Sequence, residues 1–379
     1  MTVGWGAGAM RATWRANRRV AWWQQSLSDQ AAAPQSTVHG LRSTTIVLAL
    51  VVALVAVVLG AVAWGSVRIP LPTIVRMVAL RLHLPGVAAA TWPASWETII
   101  FAIRLPRVIL AGVVGASLAV SGATYQGLFR NPLADPYLIG VASGAALGAT
   151  ASIVLRLPGR FYALGATQWC AFAGALLAVA LVYGLARVGE ATPLTALLLA
   201  GVAVSALASA LTSFLMYWYG DKLLVIYGWL MGGLTAGSWR QVGQVAPYLA
   251  VGAVFLLPAA RLLNALQLGE EGALGLGIDV ERLKLVLVIV ATLVTAAAVS
   301  VSGLIGFVGL IVPHIARLLW GPDHRRLLPC SLLLGAIFLI VADGLARTVL
   351  SPGEVPVGVL TALCGAPFFL YLLRRGRMG

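Results

Sequence analysis

Hydrophobic positions in this chain neither alternate nor recur only every third or fourth residue. They run together in long apolar blocks broken by short polar stretches. A bilayer-spanning helix needs about 20 mostly apolar residues. Ten blocks of that order fall near residues 44–66, 103–128, 137–156, 165–188, 192–219, 242–265, 283–302, 305–320, 327–349 and 355–374. Each is expected to be helical, because backbone groups inside hydrocarbon must find partners within their own segment. A membrane β-barrel would show short alternating segments instead. A further short amphipathic piece, "LLVIYGWLMGGL" (residues 223–234), lies between the fifth and sixth blocks. The pattern predicts an all-α polytopic membrane protein with about ten transmembrane helices over residues 44–379. An even count puts both termini on one side.

Composition agrees: 60% of residues are hydrophobic and 10% charged, against about 25% charged in soluble domains. The net charge of +14 raises a nucleic-acid partner. That is excluded, because the basic residues are scattered between apolar blocks with no groove-sized cluster and no nucleic-acid motif. With termini inside, the inner segments hold roughly 16 arginines and lysines against 10 outside, which supports cytoplasmic termini. Residues 1–43 stand apart as a polar, basic tail with Arg11, Arg15, Arg18, Arg19 and Arg42 among Trp5, Trp14, Trp22 and Trp23. No apolar core follows its start, so it is not a signal peptide. It reads either as a segment lying on the anionic membrane face, as a disordered tail, or as an extension ahead of the true start.

Three cysteines, Cys170, Cys330 and Cys364, lie far apart in apolar blocks. Without CxxC or Cys/His spacing they support neither a disulfide framework nor a metal site. His314 and His324, in "VPHIARLLWGPDH", have no convergent ligands nearby and read as structural. The only lysines are Lys222 and Lys284. Neither follows the glycine-rich turn of a P-loop, so this chain hydrolyses no ATP by that route. Any ATP that energises it is hydrolysed by another chain.

One polar stretch is unlike the rest. "LQLGEEGALGLGIDVERL" (residues 266–283) holds Glu270, Glu271, Asp279 and Glu281, four of only 12 carboxylates in the chain, with Gly269, Gly272, Gly275 and Gly277 among them. It is too polar to cross a bilayer and long enough for short helices. The inside-positive bias puts it on the cytoplasmic side.

Several ordered motifs now bear on family. They are "RLPRVILAGVVGASLAVSGATYQGLFRNPLADPYLIGVASGAALG" (residues 104–148), "GWLMGGL" (228–234), "GLIGFVGLIVPHIARLLWGPDHRRLLP" (303–329), "ADGLAR" (342–347) and "PVGVLTALCGAPFFLYLL" (356–373). From about residue 44 to the C-terminus the chain resembles the FecCD-type permease subunits of bacterial ABC importers for iron-siderophores, haem and vitamin B12. The resemblance implies a type II importer permease in the bacterial inner membrane, working as a homodimer with a second copy. It also implies two cytoplasmic ATPase subunits that hold ATP and Mg, a periplasmic binding protein that delivers substrate, and no cofactor bound by this chain. The implied substrate is an iron chelate (siderophore or haem), with cobalamin as the alternative.

The same resemblance assigns roles. "LGEEGALGLG" is similar to the family pattern G-E-x-x-A-x-x-L-G of the loop that docks in a cleft on the ATPase. Gly269, Glu270, Ala273, Leu276 and Gly277 match it, with Leu268 and Leu276 as apolar anchors and Glu271 as a further polar contact. Arg104 and Arg107 in "RLPR", and Arg347 at the end of the ninth block, match arginines that meet glutamates on the binding protein. Their alternative reading is snorkelling at the interface. Asp343, one helical turn before Arg347, is placed to aim or to neutralise it. Leu194 and Thr195 in "TPLTALLLAG" fall at the family's cytoplasmic gate, with Leu194 replacing a polar residue there; the alternative is a helix cap. Gly140, Gly144 and Gly148, and Gly303, Gly306 and Gly309, are spaced for close helix packing. The second set also suggests a broken helix between Gly303 and Pro313.

Two rival readings have different requirements. An ion-coupled secondary transporter needs intramembrane carboxylates or histidines, and Asp343 is the nearest candidate. An intramembrane enzyme needs a motif such as GxSxG or HExxH, and the sequence contains neither.

Overall fold

The computed structural model describes residues 39–378 apart from 66, 68, 84–91, 159, 162, 163, 236, 351 and 352. Of the expected basic tail, residues 1–38 lie outside the described residues. Residues 47–379 pack as one unit.

The helices are α1 (His39–Ala63), α2 (Leu71–Arg81), α3 (Ala94–Thr98), α4 (Leu105–Leu128), α5 (Val141–Val154), α6 (Ala166–Ala186), α7 (Leu194–Trp218) and α8 (Leu223–Leu230). They continue as α9 (Trp239–Leu256), α10 (Ala260–Leu266), α11 (Glu270–Gly275), α12 (Val280–Ser302), α13 (Val308–Trp320), α14 (His324–Thr348) and α15 (Val357–Met378). A two-residue ladder, Arg160–Phe161 with Leu164–Gly165, is the only sheet among the described residues.

Six helical stretches are long and apolar enough to cross a membrane, among the described residues. α9 and α10 form a seventh span if taken together, bent by 56° around Pro258, whose ring and missing N–H break the helix. α5, α13 and the apolar part of α15 are shorter. Together these match the ten expected blocks. Where a helix is short, irregular backbone completes the distance, and in hydrocarbon that backbone needs protein partners. The break after α12 shows how: Gly233 donates its N–H to Ser302 O at 2.8 Å, and Tyr137 donates its hydroxyl to Ile305 O at 3.0 Å. Gly303 (φ +66°) and Gly232 (φ +68°) lie against each other's neighbouring carbonyls, at Trp229 and Leu304, with no room for a side chain. Of the glycines in "GWLMGGL", Gly232 is explained by this break, whereas Gly228 faces open space.

α4 is the axis. It packs on α9, α12, α13 and α14, and nearly all its residues from Pro106 to Leu128 are buried. Membrane helices gain no hydrophobic drive from meeting each other, so they associate through small residues that allow close approach. A β-carbon on Gly115 would strike Gly335 O of α14, and one on Gly122 would strike Gly309 O of α13. Gly144 and Gly148 of α5 meet Gly174 and the Cys170 carbonyl of α6 in the same way. Gly140 instead takes a left-handed turn (φ +89°) before α5, and Gly306 faces open space. Of the buried hydroxyls on α4, Ser117 and Thr124 are satisfied within the helix, donating to Val113 O at 2.7 Å and Val120 O at 2.8 Å, while Ser121 donates across to Ala291 O of α12 at 3.2 Å.

Between the first two expected blocks lie α2, α3 and the start of a π-helical turn, Ile99–Arg104, that runs directly into α4. Arg81 lies over the Phe101 ring at 4.4 Å and Arg76 over Trp92 at 5.7 Å, so both are engaged by aromatic faces.

Candidate functional site

Two ends of the helical body concern function. One end, called inner from the expected orientation, carries the 268–277 loop, and the opposite end, called outer, carries Arg104 and Arg347.

At the inner end, α11 is a single short helix set between two glycines with left-handed backbone, Gly269 (φ +98°) and Gly277 (φ +78°). Only glycine adopts such angles without penalty, so these positions are the turns that detach α11 from α10 and α12. Ala273 is fully buried and anchors the helix. Leu268, Leu274 and Leu276 are exposed at 70, 58 and 62%. Glu271 is exposed as well, so the 268–277 loop presents three leucines and a carboxylate outward.

Glu270 turns the other way. Its Oε1 lies 2.9 Å from Lys284 Nζ, and that ammonium also meets Glu281 Oε1 at 2.8 Å. Nζ further donates to Thr192 O at 3.2 Å, and Thr192 N–H donates to Glu281 Oε2 at 2.9 Å. The Lys284 side chain is only 4% exposed. One buried cation thus joins α11, the first turn of α12 and the residue that leads through Pro193 into α7. At that start Leu194 is half-buried against the core and Thr195 is exposed. Thr195 caps nothing, since no side-chain cap bond is formed at the start of α7.

The neighbouring inner surface is also braced. Asn264 donates to Asp323 Oδ1 at 2.6 Å, while its Oδ1 accepts from His324 N–H at 3.0 Å and contacts His324 Nδ1 at 2.8 Å. Gln126 donates to Leu310 O at 3.1 Å and accepts from Arg317 Nη2 at 3.2 Å. Asp135, in the loop between α4 and α5, accepts the Tyr137 N–H at 2.8 Å. Burial pushes its carboxyl up to about 6, against the downward pull of that hydrogen bond.

At the outer end the three candidate arginines differ. Arg104 is 5% exposed and donates to Val62 O at 3.1 Å and Val67 O at 2.6 Å, holding the end of α1. Arg107 is 8% exposed and pairs with Asp343 at 2.9 Å and Glu354 at 3.0 Å. Arg347 pairs through Nε with Asp343 at 3.1 Å, the turn-spaced contact expected from the sequence. These groups line a cavity of about 740 Å³ between α1, α4 and α14. All three arginines, which the resemblance assigns to contact with the binding protein, are engaged inside the chain, the Arg347 side chain being 14% exposed. Among the described residues no three His, Cys, Asp or Glu side chains are grouped to share a metal ion.

The profile of the FecCD transport family matches residues 48–375. The chain belongs to the FecCD transport family. It is therefore a multi-pass ABC importer permease, a transport subunit rather than a catalytic one. Relatives in this family include the cobalamin import system permease protein of Halobacterium salinarum, 52% identical over 74% of this chain and 75% of the relative. The hemin transport system permease protein of Yersinia pestis is 46% identical over 76% of this chain and 86% of its own. An Fe(3+)-citrate import system permease protein of Bacillus subtilis is 42% identical over 76% and 84%. A solved structure, described as a metal-chelate type ABC transporter in an inward-facing conformation, superposes with a TM-score of 0.76 at 33% identity, over 88% of this chain and 99% of that one. The matched residues of this FecCD permease include the α11 loop, the outer arginines and the start of α7.

Sequence reasoning missed Lys284, Glu281, Thr192 and Glu354 as parts of these clusters. Lys284 had been noted only for lacking a P-loop. The available signal was that it is one of two lysines and lies three residues after Glu281, one helical turn away.

Proposed function

We propose that this FecCD permease is the membrane subunit of an ATP-driven importer in the bacterial inner membrane, with both termini cytoplasmic, that takes in an iron chelate, either a siderophore complex or haem. It works with a second copy of itself, two cytoplasmic ATPase subunits that hold ATP and Mg, and a periplasmic binding protein. The observation that carries this reading is the 268–277 loop: the short helix α11 on two glycine turns, with three leucines in and beside it open to solvent while Glu270 is tied inward to Lys284. Exposed leucines on a polar loop outside the spans suit a large soluble partner. α1 and α7 are the long spans least buried within the chain, which leaves faces for a second copy as well as for lipid. Arg347 is the outer residue suited to a binding protein, with Arg104 and Arg107 shaping the ground beneath it.

Cobalamin is a second reading, favoured by the 52% identity to a cobalamin import permease. Both readings take a chelated metal as cargo. The test is a tagged pull-down from the native host in mild detergent, with proteomics. A P-loop ATPase and a periplasmic protein should co-purify, and the absorbance of the latter separates haem, ferric chelate and cobalamin. Recovery of the intact dimer with no ATPase would overturn the importer reading in favour of proton- or sodium-driven uptake.

A further inference from the structure

We propose that Lys284 is the positioning residue that carries movement of α11 to the start of α7. This rests on the reading of α11 as the ATPase contact and adds the route by which that contact reaches the gate.

α11 is bounded by Gly269 and Gly277, both in left-handed backbone, so the chain on either side is jointed where a continuous helix would be stiff. Along the backbone, α11 has no direct line to α7, whose start lies more than 70 residues earlier. Side chains supply one. Among the described residues, Glu270–Lys284 is the only salt bridge made from α11, at 2.9 Å. On the far side of the same ammonium stand Glu281 at 2.8 Å and Thr192 O at 3.2 Å.

Thr192 is held at both of its backbone groups. Its N–H donates to Glu281 Oε2 at 2.9 Å and its C=O accepts from Lys284. The next residue, Pro193, has a fixed φ and no N–H, so the clamp on Thr192 passes stiffly into Leu194 and Thr195. Nothing in this arrangement needs a buried lysine for packing alone, and an unpaired buried ammonium is disfavoured. A cation held by two carboxylates of different helices and the carbonyl before a third is a tie between them. Losing it leaves Glu270 and Glu281 as neighbouring like charges, which pushes α11 away from α12 while leaving the outward leucines untouched.

The test uses the permease–ATPase complex in nanodiscs. Cys170, Cys330 and Cys364 are changed to serine, and Thr195→Cys reports on the exposed start of α7. Maleimide labelling of that cysteine is measured without nucleotide and after ATP with vanadate. With Lys284 present, labelling should change at least fivefold between the two states. With Lys284→Met, ATP hydrolysis should continue within about threefold while the change in labelling disappears, and Lys284→Arg should restore it.

Retention of the nucleotide-dependent change in Lys284→Met would overturn the proposal, as would its absence with Lys284 present. If Lys284→Met does not hold the ATPase, Glu281→Gln decides in the same assay, because it keeps the lysine and its Glu270 partner but weakens the hold on Thr192. An unchanged labelling response there also sinks the tie. Failure of the underlying reading is separate: no ATPase would then join the unaltered chain at all.

Discussion

Arg107 and Asp343, 236 residues apart in sequence, meet at the outer end through three hydrogen bonds: Arg107 Nε to Oδ1 at 3.0 Å and to Oδ2 at 3.2 Å, and Nη2 to Oδ1 at 2.9 Å. The same carboxylate holds Arg347. Asp343→Ala would leave two nearly buried guanidiniums facing each other with only Glu354 as a counter-charge. Breaking a buried ion pair from one side typically costs about 3–5 kcal/mol. Thermal unfolding in detergent should show a loss of that order, and Arg347→Ala, which leaves the Arg107–Asp343 pair intact, should cost less. Equal melting temperatures for Asp343→Ala and the natural chain would mean that the cluster is not structural.

Arg104 and Arg347 should separate stability from docking. Arg104 spends its guanidinium on Val62 O and Val67 O, and hydrogen bonds from a charged group are worth about 1.5–3 kcal/mol. Arg104→Met should lower the melting temperature yet leave affinity for the binding protein within about threefold. Arg347→Gln, which removes a contact to Asp343, should cost some stability too but lower the affinity well beyond threefold, chiefly by slowing association. Surface plasmon resonance on the solubilised dimer distinguishes the two.

Leu268 and Leu276 are 70% and 62% exposed. Substitutions at such positions usually change stability by less than about 0.5 kcal/mol. Leu268→Asp with Leu276→Asp should therefore melt like the natural chain but fail to retain the ATPase on a column. Retention of the ATPase would move its contact away from this loop.

Asp135 gives a pH signature. Its folded carboxyl sits at about 6, above an unfolded value of about 3.9. A carboxyl raised on folding adds stability in its protonated form. That increment is complete below about pH 4 and is lost as pH rises through 6. The melting temperature of the natural chain minus that of Asp135→Asn should fall across this window and level off above it. A flat difference would show that Asp135 is not held protonated in the fold.

The apolar blocks were plain in the sequence because bilayer crossing demands contiguous length, and each block has its helix. α2 was not, since its apolar residues are interrupted by arginine and proline and the run is too short to register as a span. The Asp343–Arg347 pair was legible at one-turn spacing, whereas Arg107–Asp343 and Lys284–Thr192 depend on which helices become neighbours. Of the exposed leucines in the α11 loop, Leu268 and Leu276 are legible as anchors from their motif, and Leu274 is not. The inward turn of Glu270 was not, because sequence gives a carboxylate's place on a helix but not the cation waiting across a glycine joint.

The π-helical turn Ile99–Arg104 holds one residue more than an ordinary helical turn would over the same path. It gives the gene some slack at this point. Loss of a single codon between positions 99 and 103 would let the turn relax to ordinary helix without disturbing Arg104, Arg107 or anything after them. The change would fall on Ala94–Thr98, turned by about 100° about its axis, taking Trp96 off the core against which it packs. An in-frame deletion here is thus absorbed as a rotation of the outer lip, leaving the helical axis of the permease in register.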